Sequence, residues 1–220
     1  MLLGLRSNAD TEKIGWPGLV PAVGTQSGDL NEYRADGTWV CWRHFRGITR
    51  HVSGLSRPDY FDWPAHIADQ LPEVNPDAVV VMFGGNDAQD VELGGERFDV
   101  GTRAWVDLYA IRVAEAMDVL LSGTERVYWI GLPIMKSDRF TTNAQTMNAA
   151  YESEADVRPA VTYVSSFELF TDADGEYNAY LDGKLMRFTD GAHFVWNGAY
   201  RLADAVLPVI AADWNIDLAG

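Results

Sequence analysis

The stretch "DAVVVMFGGNDAQD", Asp77 to Asp90, constrains the fold more than any other part of the chain. Its apolar residues run continuously instead of alternating, the pattern of a strand covered on both faces. Such a strand needs a layer of structure above it and another below. Two further runs have the same character, "RVYWIGL" from Arg126 to Leu132 and "AVTYVSS" from Ala160 to Ser166. "TWVCWRHF", Thr38 to Phe45, is a weaker strand, and the opening "MLLGL" a very short fifth one. Segments of helical period separate them, which predicts an α/β layered fold with a mostly parallel sheet.

Trp105, Leu108, Val113, Ala116, Leu120 and Leu121 fall near helical spacing, and Gly123 follows as a stop, so a helix is predicted from Thr102 to Ser122. Asp62 is placed to cap a second helix over "WPAHIADQL", with Pro64 tolerated in its first turn. A third is expected over Thr142 to Ala155, and a fourth over Trp196 to Asp213, kinked or shortened by Pro208. Phe167 to Thr189 lacks a steady period and carries turn signals at Asp174-Gly175 and Asp182-Gly183, so it reads as a long excursion containing a hairpin. No repeat or low-complexity linker divides the 220 residues, and a single domain over residues 1–220 is expected.

The net charge of -15 repels phosphate backbones and anionic lipid, which argues against nucleic-acid or membrane-surface partners. One cysteine, Cys41, permits no intrachain disulfide. The N-terminal apolar run is too short for a signal peptide and no run has the length of a membrane span. A soluble chain is expected, either cytoplasmic or secreted with its leader removed.

In an open α/β sheet, ligands bind beyond the carboxyl ends of the strands. At such an end stand Gly84, Gly85, Asn86 and Asp87; the glycines allow close backbone approach, and the Asn86 amide can donate to a developing oxyanion. The bland alternative is a Gly-Asn-Asp turn. Asp190 and His193 lie three apart before the last helix, where a carboxylate holding one imidazole nitrogen leaves the other to take a proton. Alone, that spacing equally describes a solvated turn. In "HVSGLSRPDYFDWP", His51 to Pro64, the Gly54 N–H is a second oxyanion donor, while the aromatic residues read as core anchors.

Together, a glycine loop, a Gly-Asn-Asp and an Asp-x-x-His, in this order, resemble the SGNH (GDSL-type) hydrolase superfamily. The resemblance covers at least Ser53 to Leu207, and "SGLSRPDYFDWPA", "GLPIM" and "LMRFTDGAHF" are similar to a bacterial subgroup carried as a domain of unknown function. It implies a flavodoxin-like three-layer α/β/α sandwich. It also implies metal-free, cofactor-free ester hydrolysis or acyl transfer through a serine, often on acetylated carbohydrate. Carried over by motif, Gly54 and Asn86 are oxyanion donors, His193 the general base and Asp190 its orienting partner.

The family's Gly-Asp-Ser is missing. Ser7, in "LLGLRSNADTEKIGWPGL", ends the first apolar run and is the preferred nucleophile. Ser27, in "LVPAVGTQSGD", is the alternative; Pro21 weighs against it, because proline is poorly tolerated in a central strand. A third possibility is a catalytically degenerate module that binds carbohydrate or protein. Cys41, His44 and His51 match no zinc spacing, and Asp172, Asp174 and Glu176 are out of register for a calcium loop. Of the eight tryptophans, Trp63 and Trp196 are near enough to the expected site to stack on a sugar ring.

Overall fold

In a computed structural model, residues 54–216 are described in full, preceded by the backbone of four short strands: β1 (Leu2–Leu5), β2 (Asn31–Tyr33), β3 (Trp39–Cys41) and β4 (Arg46–Ile48). The continuous apolar run becomes β5 (Ala78–Val81), and its burial explains the pattern. Val79 and Val81 face one core, with α1 (Trp63–Val74), α2 (Arg103–Leu121) and α3 (Asp138–Asp156). Ala78 and Val80 face a second core, with α4 (Trp196–Asp213) and the excursion after residue 166. The strand is therefore sandwiched between two layers, as in the predicted α/β/α architecture.

The main sheet has the order β4-β1-β5-β8-β9, with β8 spanning Arg126–Ile130 and β9 Val161–Val164. β5, β8 and β9 are parallel, whereas β1 runs antiparallel to both β4 and β5. An apolar run encodes burial but not direction, so this part of the topology was invisible in the sequence. β3 covers only Trp39–Cys41, in the first half of the expected Thr38–Phe45 strand, and pairs with β2 in a separate ribbon. The sheet's outer strand is instead β4. β propensity marks a segment as pleated without naming its partner.

The helices follow their local signals. Asp62 accepts a hydrogen bond from the Ala65 N–H at 3.0 Å to cap α1, and the Thr102 hydroxyl caps α2 through the Trp105 N–H at 3.3 Å. α3 starts four residues before the expected Thr142, because its first turn is polar apart from the exposed Phe140 and shows no apolar period. Pro208 does not end α4, which continues to Asp213 with Ile210 and Ala211 buried.

Between β5 and α2 stands a small hairpin of β6 (Val91–Leu93) and β7 (Glu96–Phe98). The excursion contains a 3-10 turn at Glu168–Phe170 and a hairpin of β10 (Tyr180–Leu181) and β11 (Lys184–Leu185). Asp182 and Gly183 both have positive φ, 51° and 73°, as a two-residue hairpin turn requires. Phe170, Leu181 and Met186 are buried, so this segment covers the sheet's second face. Among the described residues no helix is long and apolar enough to cross a membrane.

Candidate active site

Beyond the carboxyl end of β5 the chain turns through Gly84, whose φ of 113° only glycine adopts easily. A Cβ at Gly84 would stand 2.5 Å from the Tyr151 hydroxyl and 2.6 Å from Leu132 Cδ1, so close packing excludes a side chain here as well. Asn86 is exposed at the edge of this turn, and Asp87 points inward, fully buried.

Asp87 ties the site together. One of its carboxylate oxygens accepts from the Ser56 N–H at 2.7 Å and the other from the Tyr109 hydroxyl at 2.9 Å. The Tyr109 and Tyr151 hydroxyls share a hydrogen bond at 2.7 Å, and the Tyr151 hydroxyl also donates to the Phe83 carbonyl at 3.3 Å. Gly54 lies against the same carboxylate, its missing Cβ only 2.1 Å from Asp87 Oδ1. The Gly54–Ser56 segment and the Asn86 turn are thus fixed to each other through one buried acid. Burial pushes the Asp87 carboxyl above its ordinary range, against the opposing pull of the Ser56 and Tyr109 hydrogen bonds. Burial also raises both tyrosine hydroxyls well above theirs, with the Asp87 charge adding to the effect.

The neighbouring strand supplies the next support. After β8 the chain runs through Gly131 to Lys136, and the buried Asn148 side chain holds Leu132 on both sides. It accepts from the Leu132 N–H at 2.6 Å and donates to its carbonyl at 2.8 Å. Leu132 packs under Gly84, while the Lys136 N–H donates to the Gly191 carbonyl at 3.3 Å. The β8 loop therefore bridges the Asn86 turn and the Asp190–His193 turn at one edge of the sheet.

That turn is the tip of a short antiparallel excursion. The Phe188 N–H donates to the His193 carbonyl at 2.8 Å, and the Gly191 N–H to the Phe188 carbonyl at 2.9 Å. Gly191, at φ 71°, lets the chain reverse against Lys136. Asp190 Oδ1 accepts from the backbone N–H groups of Ala192 at 2.8 Å and His193 at 3.0 Å, and its Oδ2 lies 2.8 Å from His193 Nδ1. Partial burial raises the Asp190 carboxyl, but the hydrogen bonds from Ala192 and His193 together outweigh it and leave the group below the usual carboxylate range. With the His193 side chain 79% exposed and its Nδ1 held, Nε2 is presented at the surface.

The structure therefore packs Gly54 against Asp87, the residue after Asn86, and places Asp190 and His193 in hydrogen-bond contact. Ser7 and Ser27 lie outside the described residues, as do His44 and His51 and the Cys41 side chain. β1 runs antiparallel to β5, with Leu5 paired to Ala78, the first residue of β5. Trp63 is corrected. At 3% exposure it packs edge-on against Phe61, His66 and Phe83 and offers no face to a sugar, whereas Trp196 is 59% exposed and stacks on Tyr200. Asp172 spends its carboxylate on the N–H groups of Asp174 and Glu176, in a local turn. The sequence placed Asp87 at the strand end but gave no sign of its burial or of its partners Tyr109 and Tyr151, nor of Asn148; a buried acid following an exposed amide shows no periodic signal.

Comparison with known proteins agrees with this frame. The family model described as "Protein of unknown function (DUF459)" matches residues 44–209, most of the chain. A search of curated proteins gives no match. Among solved structures, a GDSL-like lipase from Bacteroides thetaiotaomicron is similar over 72% of this chain and 81% of that one, at 14% identity and a TM-score of 0.51. A carbohydrate esterase family 3 structure from Talaromyces cellulolyticus is similar over 76% and 70%, at 17% identity and a TM-score of 0.49. This chain belongs to the DUF459 family, and its architecture is that of the SGNH hydrolases.

Proposed function

We propose that the protein is a serine-dependent ester hydrolase or acyltransferase acting on a short-chain acyl ester, with an acetylated carbohydrate as the substrate class to test first. The Asp190–His193 pair carries this reading, because Nδ1 is held by a carboxylate at 2.8 Å and Nε2 is left exposed to accept a proton. His193 takes the hydroxyl proton as the serine oxygen attacks the ester carbonyl. The resulting oxyanion is held by the Gly54 N–H and the Asn86 amide, each such donor contributing roughly 3 kcal/mol to transition-state stabilisation. Collapse expels the alcohol, which leaves with the proton from His193; water, or an acceptor hydroxyl in the transferase case, then releases the acyl group by the same steps.

The nucleophile is assigned to Ser7 or Ser27. Ser7 is the first choice and Ser27 the alternative, because Pro21 stands in the run that would have to form the first strand if Ser27 were the nucleophile. Turnover of a p-nitrophenyl acetate ester by the parent, His193→Ala, Ser7→Ala and Ser27→Ala decides the mechanism, and a fluorophosphonate label mapped by mass spectrometry identifies the serine. His193→Ala is expected to lose at least a thousandfold in kcat; unchanged turnover would sink the reading.

The missing Gly-Asp-Ser favours a second reading, a catalytically degenerate module that binds carbohydrate or protein. It predicts neither turnover nor label in the parent, with glycan binding measurable by calorimetry and weakened in Trp196→Ala.

A further inference from the structure

Arg187 is the one strongly basic side chain among the described residues that is almost completely buried, at 1% exposure, and the mechanism above leaves it unused. Its guanidinium donates to two carbonyl oxygens, not to a carboxylate: Ala192 at 2.5 Å and Ile134 at 3.0 Å. The rings of Phe170 and Phe194 lie 4.8 Å and 4.2 Å from its central carbon, on side chains that themselves pack 4.6 Å apart. Burial is unfavourable enough to bring this guanidinium down to about 10, even with the nearby Tyr177 and Asp190 opposing the shift. Replacing such a cation by an apolar side chain of similar length often leaves a fold as stable or more so, so stability alone is a weak reason for an arginine here.

The partners of Arg187 point to another reason. Ala192 and Phe194 flank His193 in the chain, and Ile134 belongs to the β8 loop that separates the Asp190–His193 turn from Leu132 and Gly84. We propose that Arg187 is a positioning residue: it clamps the Asp190–His193 turn onto the β8 loop through the Ala192 and Ile134 carbonyls. The proposal rests on His193 being the base, but the clamp exists whether or not an ester is cleaved. The clamp sets where Nε2 points.

The other groups facing this turn are Asp190 on the turn itself, Lys136 on the β8 loop and Tyr177 on the excursion, and all three are unchanged by substitution at 187. Arg187→Met keeps the aliphatic stem and removes the charge; Arg187→Lys keeps the charge and loses the two-carbonyl clamp. The His193 ring signals are followed by NMR in the parent and both variants at one pH, identified among the four histidines by their loss in His193→Gln. In both variants they are expected to shift or broaden, because a turn no longer tied to the Ile134 carbonyl holds the imidazole less tightly. Turnover of p-nitrophenyl acetate is expected to fall at least tenfold in kcat in both variants, with KM within about twofold.

Parent-like kcat together with parent-like His193 ring signals in Arg187→Lys overturns the clamp. If Arg187→Met does not fold, Arg187→Lys decides the clamp alone. A parent without ester turnover defeats the proposed function and leaves the His193 ring signals to decide the role of Arg187.

Discussion

Substituting Gly54 by alanine tests how the Gly54–Ser56 segment and the turn after β5 are held together, and it needs no knowledge of substrate. The new methyl would sit 2.1 Å from Asp87 Oδ1 and 2.6 Å from its Cγ. Ordinary carbon–oxygen contact is about 3.3 Å, so the carboxylate or the Gly54 backbone has to move by about 1 Å. Stretching the 2.7 Å bond from the Ser56 N–H by that amount takes it past any hydrogen-bond distance. Losing a buried bond to a charged acceptor costs roughly 1.5–3 kcal/mol, and residual crowding adds about 1 kcal/mol, so Gly54→Ala is expected to destabilise by about 2.5–4 kcal/mol. The assay is urea denaturation of four proteins: parent, Gly54→Ala, Asp87→Ala and the double variant. Asp87→Ala is itself destabilising, because the Ser56 N–H and Tyr109 hydroxyl lose their acceptor, but it clears the space the methyl needs. Gly54→Ala should therefore cost less than about 1 kcal/mol on the Asp87→Ala background, giving a coupling of at least 1.5 kcal/mol. A cost that is the same on both backgrounds would refute the packing argument.

Two further outcomes follow from the same geometry. Because burial raises Asp87 in the folded protein, the native state holds its proton more tightly than the unfolded chain; this contribution to stability is complete below about pH 4 and is lost as pH rises through the raised value. Asp87→Asn, which cannot ionise, should show a flatter decline of denaturation midpoint across that window, and an identical pH profile would mean that Asp87 does not titrate in the folded protein. The two tryptophans separate structure from surface: Trp63→Ala should destabilise by about 3–5 kcal/mol as a core truncation, and Trp196→Ala by less than about 1 kcal/mol, both read from urea midpoints.

Much of the frame was legible because it depends on local patterns. The continuous run at Ala78–Val81 demanded cover on two faces and has it; Asp62 and Thr102 cap the helices that begin beside them; Asp182-Gly183 makes the hairpin turn that its composition implies. The Asp190–His193 contact joins residues three apart on one turn, so spacing was enough to suggest it. Periodicity, capping and turn chemistry act within a few residues, and a single sequence displays them directly.

Tertiary structure alone decided the rest. The Ser56–Asp87 bond spans 31 residues, Tyr109–Asp87 spans 22 and Arg187–Ile134 spans 53, and none follows from a repeat or a turn signal. Apolar runs could not say that β1 lies antiparallel to β5, nor that β3 leaves the main sheet to pair with β2. Trp63 and Trp196 are the same residue type beside the same expected site, yet one is enclosed by three rings and the other stands in solvent. Strand partners, burial of single polar groups and contacts between distant loops arise only when the layers close on one another, because each depends on which remote surface excludes water from it.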